Sequence, residues 1–107
     1  MDIVYHLVRR PRWEAQPEQD YRADSLATEG FIHCSYRHQV AWAANRFYAD
    51  AADLIVLEID PTKLASPLRV EPAAGGEQFP HIHGPINRAA VVNVRPLSRA
   101  DGGAWVF

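Results

Sequence analysis

The sequence predicts a small α+β fold of five to six strands or more, with one long helix and one short helix. Several segments alternate apolar and polar residues with the period of a strand, and one segment repeats with the period of a helix. Strands follow one another directly in the second half, unlike the regular strand and helix alternation of a doubly wound sheet. The 107 residues fit a single domain, residues 1–107.

Composition and charge are those of an ordinary globular protein. Hydrophobic residues make up 48% of the chain and charged residues 22%. Eleven basic against thirteen acidic side chains give a formal net charge of −2, so no overall positive field attracts nucleic acid. Extended nucleic acid is therefore not an expected partner.

The N-terminal stretch "MDIVYHLVRRPRW" has only a brief apolar run, so neither a secretory signal nor a membrane anchor is predicted. No apolar run approaches the roughly 18 residues that a spanning helix needs. A single cysteine, Cys34, excludes an internal disulfide framework. We expect a cytoplasmic protein that does not bind membranes and is a monomer or a weak dimer.

Residues 2–8 alternate between two apolar faces, which predicts a strand covered on both sides. His6 on this strand would then point into protein. Residues 9–21, "RRPRWEAQPEQDY", contain two prolines and mixed charges and are predicted to form a loop. Trp13 and Tyr21 are expected to attach that loop to the core.

The segment "DSLATEG" predicts a short helix that ends at its glycine, followed at once by a strand over Phe31–Ser35. Alternation places His33 and Ser35 on one face of this strand and turns Cys34 to the other. No cation or long helix N-terminus lies beside Cys34 to activate it, so we expect a buried, unreactive thiol.

"YRHQVAWAANRFYADA" predicts the long helix, with His38 on its outer face. Its apolar stripe consists of Val40, Ala43, Ala44 and Phe47. The later strands are "DLIVLEID", "LRVEP", the extended "FPHIHGPINRA", "AVVNVRPL" and an edge strand "AWVF".

The histidines are the residues most able to carry chemistry, because an imidazole can bind a hydroxyl, relay a proton or ligate a metal near neutral pH. His81 and His83 in "HIHG" have the spacing of two metal ligands on one strand, with His6, His33 or Glu77 as a possible third. The prolines and the glycine around them also fit a purely structural bend.

Five features occur in an order that resembles a known family. They are "YHL" near the start, Trp13, Tyr21, "GFIHCS" and "FPHIHGPI". Together they are similar to domain-of-unknown-function family 952, a group of small bacterial and plant proteins. The resemblance extends from about Ile3 to Gly102.

The resemblance implies an ADP-ribosyltransferase-like fold, in which two small sheets face each other across a cleft where NAD lies. Within that fold the closer similarity is to RNA 2′-phosphotransferases, whose sites show a His, His, hydrophobic pattern. By this likeness His6 would touch the nicotinamide-side ribose and His33 would be the second-strand histidine. The family usually has tyrosine at the position of His83, so the histidine pair is a local variation and no metal is expected.

The resemblance therefore implies a domain that binds NAD or transfers ADP-ribose. His6, His33 and His81 are the candidate catalytic residues, and the bond broken would be the nicotinamide N-glycosidic bond. Electrostatic complementarity would favour the oxocarbenium-like charge.

His6 and Ser35 would bind the cofactor, and Arg9 and Arg12 would hold its pyrophosphate as guanidinium forks. A nucleotide or a nucleotide-linked acceptor is the expected partner. Two alternatives remain at this point. The first is a non-catalytic pocket for a nucleotide or another phosphorylated ligand, because no late-strand catalytic carboxylate is recognisable. The second is a metal-dependent enzyme that uses the histidine pair.

Overall fold

The computed structural model describes residues 2–107, and Met1, the first residue of the predicted domain, lies outside the described residues. In chain order the helices and strands are β1 (Val4–Arg9), α1 (Arg10–Glu14), α2 (Asp24–Glu29), β2 (Ile32–His33), α3 (Val40–Phe47), β3 (Leu54–Ile59), β4 (Leu68–Pro72), β5 (Gln78–Ile82), β6 (Val91–Pro96), β7 (Ser98–Arg99) and β8 (Trp105–Val106). Single 3₁₀ turns precede α3, follow β3 and precede β6.

The strands form two three-stranded antiparallel sheets and a two-stranded ribbon. The first sheet has the order β1-β3-β6, the second has the order β2-β5-β4, and β7 pairs with β8. The predicted α+β class is confirmed, with two small sheets and few helices. No helix within residues 2–107 is long and apolar enough to cross a membrane.

Two helical segments differ from the prediction. Residues 10–14 lie in the predicted loop but form the short helix α1, in which Pro11 occupies the first turn, where a missing N–H costs nothing. The predicted long helix is a 3₁₀ turn over Arg37–Gln39 followed by α3, which ends at Phe47. The fold therefore has one more short helix than predicted.

The first sheet is the central layer, and its strands β1 and β3 are buried on both faces. Between it and the second sheet lies one apolar cluster, made of Val4, Val8, Tyr21, Ile32, Cys34, Ile55, Leu57, Ile59, Ile82, Ile86 and Ala90. The other face of the first sheet packs against α3 and the ribbon. The buried residues of this second cluster are Tyr5, Leu7, Val40, Ala43, Ala44, Ala51, Leu54, Val56, Leu97 and Trp105. The prediction that the first strand is covered on both sides is confirmed.

A pair of backbone hydrogen bonds joins the two sheets. The N–H of Tyr5 donates to the carbonyl of Ser35 at 2.9 Å, and the N–H of Ser35 donates to the carbonyl of Tyr5 at 2.7 Å. The chain reaches this point from α2 through Gly30, whose φ of 87° lies in the left-handed region that glycine adopts without strain. The bridge places the end of β2 beside the middle of β1.

Gly84 is the position where a side chain is least tolerable. A Cβ atom built there would lie 2.3 Å from Oγ and 2.8 Å from Cβ of Ser66, whose hydroxyl donates to the carbonyl of Pro85. We expect Gly84→Ala to lower the free energy of unfolding by about 3 kcal/mol, the upper end of the overpacking range. Urea denaturation measures the change.

Gly75→Ala is the matched control, because Gly75 also has a positive φ, of 92°, but its Cβ would meet nothing within 4 Å. Backbone strain alone predicts a loss of about 1 kcal/mol there. Equal losses in the two variants would show that the contact with Ser66 is not the constraint at Gly84.

Candidate functional site

A cleft of about 680 Å³ opens between β1, the second sheet and α3. The structure brings all six predicted site residues to its walls: His6, Arg9, Arg12, His33, Ser35 and His81. His83 does not line it, and His38 lies on the far side of the 3₁₀ turn, stacked on Tyr36. The cleft has a polar end, formed by the histidines and Ser35, and an aromatic end, formed by side chains of α3 and β5.

His6 is buried at the base of the polar end, with 5% of its surface exposed. Its Nδ1 lies 2.6 Å from the carbonyl oxygen of His33, so Nδ1 carries the proton and donates it. Its Nε2 then has a lone pair, which faces the hydroxyl of Tyr21 at 3.4 Å. His6 is therefore held in one tautomer, with an acceptor nitrogen beside the cleft.

Burial lowers the pKa of His6 to about 4, although the bond to the His33 carbonyl opposes the shift. Burial also raises the pKa of Tyr21 above its usual range. Both groups are therefore neutral across the physiological range. The base of the cleft therefore presents uncharged donors and acceptors.

His33 lies above His6 and is exposed, with 56% of its side chain accessible. Its Nε2 contacts a carboxylate oxygen of Glu29 at 3.0 Å. Its ring meets that of His81 edge to face, with centroids 5.3 Å apart. The antiparallel register explains this contact, because His33 and His81 are directly opposite each other on β2 and β5.

His81 is held more firmly than His33. Its ring stacks on Phe31 at 4.2 Å with an angle of 15°, and its Nδ1 lies 2.8 Å from Oε1 of Glu71. Because a carboxylate oxygen only accepts, Nδ1 of His81 is the donor in this bond. The carboxylate therefore sets which nitrogen of His81 is available to a ligand.

Glu71 was missed by sequence reasoning. Its Oε1 also accepts from Nε2 of His83 at 2.8 Å, and the two imidazole bonds lower the pKa of its carboxyl group. The "HIHG" spacing did predict that His81 and His83 face the same way, which is confirmed. Glu71 could have been identified as the partner of His81 and His83 only from the register of the β4 and β5 hairpin, in which Glu71 pairs with Phe79.

The two histidines are therefore joined through a carboxylate. The proposed third metal ligand Glu77 instead accepts a hydrogen bond from Gln39. Within residues 2–107, no group of three or more histidine, cysteine, aspartate or glutamate side chains has the arrangement of a metal site.

Cys34 is buried, as the sequence predicts. It packs in the apolar cluster between the sheets, and its burial raises the pKa of the thiol above the normal range, which makes it a poor nucleophile. Ser35 is buried at the polar end of the cleft, which His33 and Cys34 also line.

Arg9 and Arg12 reach the cleft where β1 leads into α1. Arg9 lies over the ring of Tyr48 and is 3.9 Å from Asp50, a carboxylate whose side chain is 93% exposed. Arg12 forms an ion pair with Asp24, whose side chain is 82% exposed. Both arginines are about half exposed, so these pairs are weak and leave the guanidinium groups available to another anion.

The aromatic end was not anticipated. Phe47, predicted on the buried stripe of the helix, is 62% exposed, while Val40, Ala43 and Ala44 of that stripe are buried as expected. Together with Trp42 on the same helix, Phe47 lines the cleft. The helical period of the apolar residues predicted that Phe47 is in the core, because this period is the same for a core position and for a position on the wall of a cleft.

A buried glutamine attaches the start of α3 to the second sheet. The amide of Gln39 donates to a carboxylate oxygen of Glu77 and to the carbonyl of Gln78, both at 2.8 Å. Its amide oxygen accepts from the N–H of Tyr36 at 2.9 Å. Trp42, one turn further along, is thereby held 5.9 Å from Phe79 of β5, measured between ring centroids.

The low pKa of His6 predicts a specific pH dependence. Between its unfolded value of 6.5 and its folded value of about 4, the unfolded chain binds a proton that the folded chain does not. Stability therefore falls as the pH falls through this window, by up to about 3 kcal/mol from His6. The free energy of unfolding, measured in urea from pH 4.5 to 7.5, should show this loss.

His6→Asn is the control, because an asparagine amide can keep the bond to the His33 carbonyl but does not titrate. We expect this variant to be less stable at pH 7.5 and to lose much less stability on acidification. The same pH slope in both proteins would mean that His6 is not the buried group responsible.

The fold and sequence have recognisable relatives. Residues 7–94 match the family described as a protein of unknown function, DUF952. The crystal structure of protein CC0527 from Caulobacter crescentus is similar with a TM-score of 0.87 and 24% identity, over 97% of this chain and 93% of that chain. The solution structure of CC0527 gives a TM-score of 0.80 and 26% identity, over 96% and 90% of the two chains.

No curated protein matches this sequence. The likeness to the solved structures shows a shared fold. The family match covers most of the chain and confirms the resemblance seen in its motifs, so the chain belongs to the DUF952 family.

Proposed function

We propose that the cleft binds a nucleotide, with NAD as the expected ligand, and that the domain is ADP-ribosyltransferase-like. One observation carries the proposal. His6, His33, Ser35 and His81, which come from three different strands or strand ends, all line a single cleft. A few convergent polar side chains in one cleft are the arrangement expected of a ligand site.

The chemistry of the polar end fits ribose hydroxyl groups. Nε2 of His6 is a neutral acceptor, the bond between Nδ1 of His81 and Glu71 leaves Nε2 of His81 for a ligand, and the hydroxyl groups of Tyr21 and Ser35 can both donate and accept. Hydroxyl groups bind such a set without the desolvation penalty of a buried charge. His6 and Ser35 would hold the ribose, with His33 above it.

The chemistry of the opening fits a pyrophosphate. Arg9 and Arg12 are forks able to bind phosphate oxygens through two parallel hydrogen bonds. Their present partners, Asp50 and Asp24, are almost fully exposed, so each carboxylate regains water when an arginine turns to a phosphate. The exchange therefore costs little.

When bound, NAD would supply a nicotinamide N-glycosidic bond, and the histidines would orient the ribose next to it. His33 is the candidate to act on the acceptor, since its ring is exposed and a carboxylate, Glu29, holds its Nε2. The carboxylate of Glu29 would stabilise a proton taken up by this imidazole. His81, fixed by Phe31 and Glu71, would fix the opposite wall.

Titration with NAD, followed through the imidazole signals in NMR spectra, tests the binding. We expect the signals of His6, His33 and His81 to shift, and that of His38, outside the cleft, to stay in place. His33→Ala should weaken binding about tenfold, the effect of one good hydrogen bond. His38→Ala, which also removes an exposed imidazole beside a glutamate, should leave the affinity unchanged.

Unchanged imidazole signals at millimolar NAD would refute the cofactor assignment. An equal effect of the two alanine variants would show that the interaction is not in the cleft.

A non-catalytic pocket is the second candidate, favoured by the state of the acidic groups. Among the described residues that line the cleft, the acidic one is Asp24, which is paired with Arg12, while Glu29 and Glu71 are engaged by histidines. Nicotinamide release separates the two candidates. A transferase releases nicotinamide in the wild type and at least tenfold more slowly in His33→Ala, whereas a binding domain releases none in either protein.

A further inference from the structure

We propose that the aromatic end of the cleft, formed by Trp42, Phe47 and Phe79, is a stacking site for the purine base of the bound nucleotide. This rests on the proposed function and adds where the base lies. It assigns recognition of the base to aromatic side chains of α3 and β5.

The exposure of these side chains is the first support. Trp42 is 54% exposed and Phe47 is 62% exposed, although both are on the helix that packs against the central sheet. Phe79 is partly exposed on the face of β5 that also carries His81. Large aromatic side chains gathered at one exposed place mark an interaction surface more often than single exposed residues do.

The arrangement of the rings is the second support. Trp42 and Phe47 meet edge to face at 5.9 Å and 87°, and Trp42 is tilted by 31° from Phe79 at 5.9 Å. The indole is thus supported on two sides but keeps exposed area toward the cleft. A flat ring that stacks there gains about 1–3 kcal/mol, as bases do on aromatic side chains.

The aromatic end and the polar end belong to one cleft, and this indicates which class of ligand fits it. Trp42, Phe47 and Phe79 line the same cleft as His6 and Ser35, so one molecule can touch both ends. That molecule has a flat apolar ring at one end and hydroxyl-bearing groups at the other. A nucleotide has both parts.

The charges nearby agree with an anionic ligand. Arg9 lies over Tyr48, which also lines the cleft, and the guanidinium of Arg46 lies 5.7 Å from the ring of Phe47. Asp50 is the nearby counter-charge and is solvated. The phosphate groups that link the adenosine to the nicotinamide-side ribose would therefore meet positive charge.

Three proteins and three probes test the assignment. The proteins are the wild type, Trp42→Phe, which keeps an aromatic face, and Trp42→Leu, which keeps an apolar side chain without one. The probes are NAD, AMP and ribose 5-phosphate, which lacks the base. Calorimetry gives the affinities, and the indole N–H signal of Trp42, identified by its absence in both variants, reports contact in NMR spectra.

We expect the wild type to bind AMP at least tenfold more tightly than ribose 5-phosphate, and AMP to shift the Trp42 signal. Trp42→Leu should lower the affinity for AMP and NAD about tenfold and leave ribose 5-phosphate unaffected, while Trp42→Phe should retain most of the affinity.

The outcomes separate the two proposals. Equal binding of NAD by the wild type and Trp42→Leu would overturn the base site and leave the proposed function standing. A third outcome is that AMP binds in a way that depends on Trp42 while the imidazole signals of the histidines do not shift on addition of NAD. This result would support the base site and refute the NAD assignment. A concentration-dependent dimer that Trp42→Leu abolishes, without any effect of AMP, would overturn the base site in favour of contact between two copies of the chain.

Discussion

Two backbone hydrogen bonds between Tyr5 and Ser35 are the constraint on which the rest of the site depends. Each three-stranded sheet has its own ladder, and this bridge fixes their relative position next to His6. The carbonyl of His33 then lies close enough for Nδ1 of His6 to reach it, which adds a side-chain bond to the same junction. The junction that holds the layers together also forms the base of the cleft.

The three cleft histidines have different hydrogen-bond partners. The carbonyl of His33 and the hydroxyl of Tyr21 contact His6, a half-exposed carboxylate binds His33, and a carboxylate shared with His83 binds His81. Burial keeps the ring of His6 neutral, because it disfavours the charged form. The cleft therefore presents imidazoles in different surroundings within a short distance.

Local sequence patterns predicted what depends on neighbouring residues in the chain. Alternation after α2 correctly predicted that Cys34 is buried and packs in the same cluster as Ile32, because strand geometry has a fixed period. The spacing in "HIHG" likewise placed His81 and His83 on one side. The family resemblance, carried by the same motifs, identified the family.

Features that depend on the pairing of distant strands were not predictable from these patterns. Glu71 meets His81 through the register of a hairpin, and that register is set by a glycine-containing turn that alternation does not describe. Phe47 was assigned to the core because an apolar stripe is the same whether protein or a ligand covers it. The helix at residues 10–14 is too short for a periodic signal.

Gln39 gives the aromatic end a property that its lining residues do not reveal. Its buried amide spans the gap between the start of α3 and the start of β5, so the length of one side chain sets how far the helix stands from the strand. Trp42 and Phe79 sit on opposite sides of that gap. The width of the cleft at its aromatic end therefore depends on a side chain that is not part of its lining.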